Sequence, residues 1–243
     1  MSKVLKKAIK KIIQSVGYDL IPYNYRTHPV LRQKALMSAY NIETVIDVGA
    51  NIGNYGLKLL ENMNFKGKIH SFEPMLKEYE VLANRTQSHM NWSAHNFAMG
   101  DIIGNSEINI SKNSVSSSLL NILPQHTNSA PTSEYGSTQK ISVTTLDNFL
   151  IEQNLINSNI LLKIDVQGFE RNVILGGQKT LPSIDTIHIE MSLVELYEGG
   201  IIFDELYMEL RKLGYQMVGV EPGFSDKNSG QLLQIDGLFH RYG

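Results

Sequence analysis

The 243-residue chain contains no cysteine. That absence excludes a disulfide scaffold, a thiolate zinc site, an iron–sulfur cluster and a thiol nucleophile. Long apolar runs are missing too. The longest are strand-sized, well short of the roughly 20 residues that span a bilayer. Neither charge is in excess: 22 Lys and Arg face 24 Asp and Glu, a formal net charge of −2. Nucleic-acid binders usually carry a basic surplus, so no nucleic-acid partner is expected. The N-terminus has lysines but no uninterrupted apolar core or small-residue cleavage pattern, and no secretory leader is expected. What remains is a chain that is 42% hydrophobic and long enough to bury one large core. The expectation is a cytoplasmic globular protein.

The opening segment has a helical period. Val4, Leu5, Ala8, Ile9, Ile12, Ile13 and Val16 share one stripe, Lys3, Lys6, Lys7, Lys10 and Lys11 lie opposite, and Gly17 is a natural stop. A second helix is expected over residues 30–40, which makes residues 1–40 a helical extension to a main domain at 41–243. Within that domain strands and helices alternate. Strands are expected at 44–48, 68–73, 92–98, 160–165 and 184–190, and two more at 215–220 and 232–240. Residues 107–110 alternate like a hairpin arm. Residues 111–138 are rich in Ser, Thr and Asn, with Pro124 and Pro131, and read as a loop or lid. Alternating β and α units imply an α/β fold with a doubly wound sheet.

In such a sheet ligands bind beyond the carboxyl ends of the strands. Here those ends carry Asp47, Glu73, Asp165 and Glu190, four acids that need hydroxyls, ammonium groups or metal ions as partners. The turn after the first strand, Asp47-Val-Gly49-Ala-Asn51-Ile-Gly53, lets a ligand approach the backbone. Glu73 follows Gly53 by twenty positions, the spacing at which an acid meets ribose hydroxyls. Asn51 stands where the nicotinamide fingerprint has its first glycine. The pattern therefore suits a nucleoside ligand without a pyrophosphate, such as S-adenosylmethionine.

Several separated motifs carry a family likeness. Residues 45–55 (VIDVGANIGNY), 71–74 (SFEP), 162–170 (LKIDVQGFE) and 189–199 (IEMSLVELYEG), with 219–226 and 230–237 near the end, resemble the FkbM-type methyltransferases. The likeness runs from about residue 28 onward. It implies a Rossmann-like, seven-stranded, mostly parallel sheet and an O-methyltransferase that uses S-adenosylmethionine. It further implies an acceptor that is a hydroxyl of a sugar, nucleotide-sugar or glycan, as in polysaccharide biosynthesis, or of a secondary metabolite. By the same likeness Asp47, Gly49, Asn51 and Gly53 would cradle the cofactor, and Glu73 would hold its ribose. Ala98, Met99 and Asp101 would border the adenine, and Asp165 would sit beside the sulfonium and the incoming hydroxyl.

Methyl transfer to a hydroxyl needs alignment and a route for the proton. Asp165 and Glu190, on adjacent strands, are the catalytic candidates. Either is the base, or the two together ligate a Mg²⁺ or Mn²⁺ ion that grips the acceptor. Glu170 reads as a helix-start acid. His188 and His70 read as core residues, His240 is a weak acceptor-side candidate, and His95 and His126 carry no positional argument. Ser114–Leu119 either contacts the acceptor or is a polar surface loop, and Tyr197 and Glu198 are further acceptor-side candidates. The basic N-terminal helix either docks on its own domain or a partner subunit of a homo-oligomer, which is preferred, or lies on the inner face of a membrane. The rival functions are an NAD-dependent oxidoreductase and a non-catalytic scaffold in glycan assembly.

Overall fold

The structure is a computed structural model that describes residues 3–242. It divides into two compact units, Met1–Ala39 and Tyr40–Gly243. The first holds α1 (Lys3–Ser15) and α2 (Pro29–Ala39). The end of α1 follows from Gly17, whose φ is 84°. There Tyr18 N–H donates to the Ile13 carbonyl at 3.1 Å and Gly17 N–H to that of Gln14 at 3.1 Å, closing the last turn as a Schellman motif.

The second unit runs β1 (Thr44–Val48), α3 (Asn54–Leu57) with a π-helical turn at Lys58–Asn62, β2 (Lys68–Phe72), α4 (Leu76–Thr86), β3 (Trp92–His95), β4 (Ala98–Met99) and β5 (Gly104–Ser111). It continues through α5 (Pro124–Ser129), β6 (Tyr135–Thr144), α6 (Leu146–Glu152), β7 (Ile160–Ile164) and α7 (Glu170–Leu175). The last elements are β8 (Thr186–Ser192), α8 (Phe203–Lys212), β9 (Gln216–Pro222) and β10 (Gln234–His240). A seven-stranded sheet has the order β3-β2-β1-β7-β8-β10-β9, with only β10 antiparallel to its neighbours. Every residue of β1 and β7 is buried. That is why both read as apolar runs: helices cover the two faces, and β-branched Val45, Ile46, Ile160 and Ile164 suit the pleat. Each such side chain contributes about 1.5–3 kcal/mol by leaving water. The order reverses between β1 and β7, so the crevice for a ligand opens at the carboxyl ends of these two strands.

Two expectations need correction. The third strand does not run on through residue 98. Asn96 Nδ2 donates to the carbonyls of Glu73 and Pro74 at 3.0 and 3.1 Å, which turns the chain out of the main sheet, and β4 joins β6 and β5 in a second sheet of three strands. Residues 111–138 are also not one loop. β5 and β6 pair antiparallel from Gly104↔Val143 to Ser111↔Tyr135, leaving an excursion of residues 112–134 that contains α5. Pairing at 135–139 left no signature because Gly136, Ser137 and Thr138 are exposed, and a strand without a buried face has no alternation to read. His240 pairs with Thr186 at the amino end of β8 and stacks on Tyr40 with centroids 3.5 Å apart. It lies at the opposite end of the sheet from the crevice.

Candidate active site

The crevice begins with Gly49, which ends β1 at φ 79°. A Cβ there would lie 1.8 Å from the Asp165 carbonyl oxygen, so only glycine lets the ends of β1 and β7 meet. The chain then turns through Asn51, also left-handed at φ 48°. Asn51 N–H donates to Glu73 Oε2 at 2.8 Å, and Met75 N–H donates to Oε1 at 2.9 Å. Glu73 is 3% exposed. Burial pushes its pKa up to about 7, with the two backbone donors pulling the other way.

Beneath the turn lies a buried ion triad. Lys163, the one charged residue in β7, places Nζ 3.2 Å from Asp47 Oδ1 and 3.4 Å from Asp165 Oδ2. It also donates to the Gly49 carbonyl at 3.2 Å. Burial works against this ammonium, but Asp47 and Asp165 outweigh it and hold its pKa above the usual lysine range. Asp47 has no exposed surface, and Oδ2 accepts from Ser71 Oγ at 2.9 Å. The family likeness put Asp47 against the cofactor, but it does not line the cavity and instead braces the turn through Lys163. Gly53 also stands away from the cavity. Its missing side chain makes room for Leu82 and Trp92.

Asp165 and Glu190 do come together, through a residue the sequence reading passed over. Gln167 Nε2 donates to Asp165 Oδ1 at 2.8 Å and to Glu190 Oε2 at 2.7 Å, while Gln167 Oε1 accepts from Tyr197 Oη at 2.7 Å. Its φ of 55° is costly for a residue with a side chain, and such strain collects at functional sites. Glu190 Oε2 also accepts from Gln234 Nε2 at 2.6 Å. Burial first, then the charge of Asp165, pushes the Glu190 pKa well up. The donor set does not fit a divalent cation. An amide NH₂ occupies the bridging position, and among the described residues no group of three His, Cys, Asp or Glu is placed to hold a metal.

A cavity of about 350 Å³ joins these parts. Gly49, Asn51, Glu73, Ala98, Met99, Asp165 and Glu190 all line it. Asp101 does not; it is exposed and accepts from Asn172. The residues of Ser114–Leu119 line it too and form its roof, with Ser116, Ser117 and Ser118 buried. Asn51 Nδ2 donates to Ser114 Oγ at 3.3 Å, Ser118 Oγ to the Gln167 carbonyl at 2.6 Å, and Tyr197 Oη to the Ser116 carbonyl at 3.2 Å. His126 of α5 lines the far wall with Phe224, Ser133 and Gln234. Its Nδ1 is buried without a hydrogen-bond partner among the described residues, and burial lowers its pKa to about 4. No sequence signal marked His126, because its place depends on a fold-back of the excursion. His188 is neutral as well: burial, then Lys163 and Lys58, lower its pKa to about 3. Tyr55 Oη lies 3.5 Å from its Nδ1, a partner consistent with a core role. Glu170 accepts from Val166 and Gly168 N–H at 3.2 and 3.1 Å, fastening the loop before α7. Glu198 accepts from Asn121 Nδ2 at 2.9 Å, tying down the excursion.

Among solved structures, a methyltransferase FkbM from Methylobacillus flagellatus KT is 14% identical, with a TM-score of 0.50 over 81% of this chain. This chain spans 44% of that protein's length. An rRNA methylase from Streptococcus thermophilus is 10% identical, with a TM-score of 0.48, covering 89% of this chain and 98% of its own. No curated protein matches by sequence. A family model for the methyltransferase FkbM domain matches residues 47–217, from the acid beneath the Gly49 turn to β9. With more than half of its length inside that match, the chain belongs to the FkbM methyltransferase family.

Proposed function

We propose that the protein is an O-methyltransferase that moves a methyl group from S-adenosylmethionine to a hydroxyl of a sugar, nucleotide-sugar or glycan, with Asp165 as the base. One observation carries this: Asp165 shares a single cavity with Glu73 and the Gly49 turn, beside the carboxyl of Glu190, whose pKa burial raises. Two acids in different surroundings can play different roles.

The residues fit the cofactor. Glu73 offers a buried carboxylate for ribose hydroxyls, Ala98 and Met99 offer an apolar wall for a base, and Gly49 leaves backbone exposed to the cavity. S-adenosylmethionine supplies an electrophilic methyl on a sulfonium. Asp165 would accept the proton that the acceptor hydroxyl gives up. Gln167 fixes Asp165 in place, and Lys163 balances its charge before the proton arrives. The roof excludes water. On the acceptor side the lining offers serine hydroxyls, the Gln234 amide and neutral His126, and no Lys or Arg among the described residues. That lining favours enclosing an uncharged, hydroxyl-rich ring, with any phosphate outside.

The test is a thermal-shift comparison followed by methyl transfer to a panel of sugars and nucleotide-sugars. S-adenosylhomocysteine is expected to raise the melting temperature, and NAD is not. Stabilisation by NAD alone would reverse the assignment. Because amide and carboxyls fill the space where a cation would sit, turnover is expected to survive EDTA, and its loss on chelation with recovery in Mg²⁺ would refute the metal-free base.

Glu73 gives a pH signature. The ribose hydroxyls donate to a carboxylate, and protonation removes that acceptor. With a pKa of about 7, affinity for S-adenosylhomocysteine falls as pH falls. Calorimetry should show a loss of about tenfold between about pH 8 and pH 6, and a flat profile in Glu73→Gln. An unchanged wild-type affinity over that range would remove Glu73 from ribose recognition.

A further inference from the structure

The charge of the chain is segregated. Residues 1–39 carry eight Lys or Arg and one acid, Asp19, whereas residues 40–243 carry 14 bases and 23 acids. Asp19 is already engaged, with Lys10 Nζ 3.1 Å from Oδ2 and Gln14 Nε2 donating to Oδ1 at 3.1 Å. Residues 1–39 contain no second acid.

Its apolar residues are displayed. Leu5, Ile12 and Val16 are 49%, 67% and 68% exposed on the stripe opposite the lysines. From the last residues of α1 onward, every residue from Gln14 to Thr27 is exposed, including Tyr18, Leu20, Ile21, Tyr23 and Tyr25. Such a concentration of exposed apolar groups marks an interaction surface. Lysines beside an aliphatic stripe, followed by tyrosines, match a surface with phosphates above acyl chains: the ammonium groups reach the phosphates, the stripe enters the boundary and tyrosines sit at headgroup level.

We propose that α1 and the segment Tyr18–Tyr25 bind in the plane of an anionic lipid bilayer. No helix among the described residues is long and apolar enough to cross a membrane, and α1, at about 20 Å, lies along the surface. An acidic protein would satisfy the lysines but not the exposed stripe, whereas anionic lipid satisfies both.

The test is co-sedimentation of the full chain with phosphatidylcholine vesicles, with and without about 30% phosphatidylglycerol. Binding is expected only to the anionic vesicles, with a loss of at least about fivefold in roughly 0.5 M NaCl. The triple variant Lys6→Glu, Lys7→Glu, Lys11→Glu should not bind. Ile12→Asp with Val16→Asp should bind at least about fivefold more weakly. In both variants the thermal shift with S-adenosylhomocysteine should match wild type, which keeps this test separate from that of methyl transfer. Absence of binding, equal binding to neutral vesicles, or binding that survives the lysine reversals overturns the proposal. So does conversion of an oligomer to a monomer by Ile12→Asp with Val16→Asp in a protein that ignores vesicles, which would assign the face to a second copy of the chain.

Discussion

Replacing Lys163 with methionine is expected to lower the unfolding free energy by about 3–5 kcal/mol, the usual loss when one partner of a buried ion pair is removed. Methionine keeps the length and apolar stem of lysine, so the change isolates the ammonium. Without it Asp47, which has no exposed surface, keeps only its hydrogen bond from Ser71 Oγ. The Gly49 carbonyl loses its donor as well. For a domain of this size the loss corresponds to about 10–15 °C in melting temperature. Asp47→Asn should cost less, because Asp165 still accompanies the ammonium. Asp47→Asn combined with Lys163→Met should be milder than the sum of the two, since neither then leaves a bare charge. Urea denaturation of the four proteins reads the cycle. A Lys163→Met variant within about 1 kcal/mol of wild type would mean that the triad does not hold the turn.

The largest effect on turnover is expected at Asp165. Asp165→Asn retains an oxygen to accept from Gln167 but cannot take a proton, so kcat should fall by about 10²–10⁴, the span of general-base catalysis. The affinity for S-adenosylhomocysteine should stay within about threefold, because removing a proton acceptor leaves the cofactor's other contacts in place. Glu190→Gln makes the contrast. Glutamine is the neutral isostere of Glu190, whose pKa burial raises, so a loss of no more than about fivefold is expected. Single-turnover kinetics with an identified acceptor measures both. A Glu190→Gln variant as impaired as Asp165→Asn would exchange the two roles.

The parts of this architecture that repeat locally were legible in the sequence. β1 and β7 announce themselves as buried apolar runs, and the glycines and acids at their ends mark the crevice. Side-chain direction was not legible. Asp47 lies one residue from the end of β1, and whether it faces the cavity or the interior depends on Lys163, far away in sequence on β7 but adjacent in space. Lys163 did carry a signal, an ammonium in the middle of a strand with no polar face, which only a buried acid explains. Gln167 gave none, because left-handed backbone at a non-glycine residue is a tertiary demand. His126 came to the cavity wall through the fold-back of residues 112–134, and long-range closure of that kind has no periodicity.

The contact between Gly49 and the Asp165 backbone gives the enzyme a fixed gauge. The separation between the Gly49 turn and the Asp165 backbone is set by main chain against main chain, with no side chain to adjust it. The roof is held instead by side-chain hydrogen bonds from Ser118, Asn51 and Tyr197 and by backbone pairing of Ser118 with Asn109. Substitutions in the roof are therefore expected to change which acceptor the cavity takes before they change the distance between the Gly49 turn and Asp165.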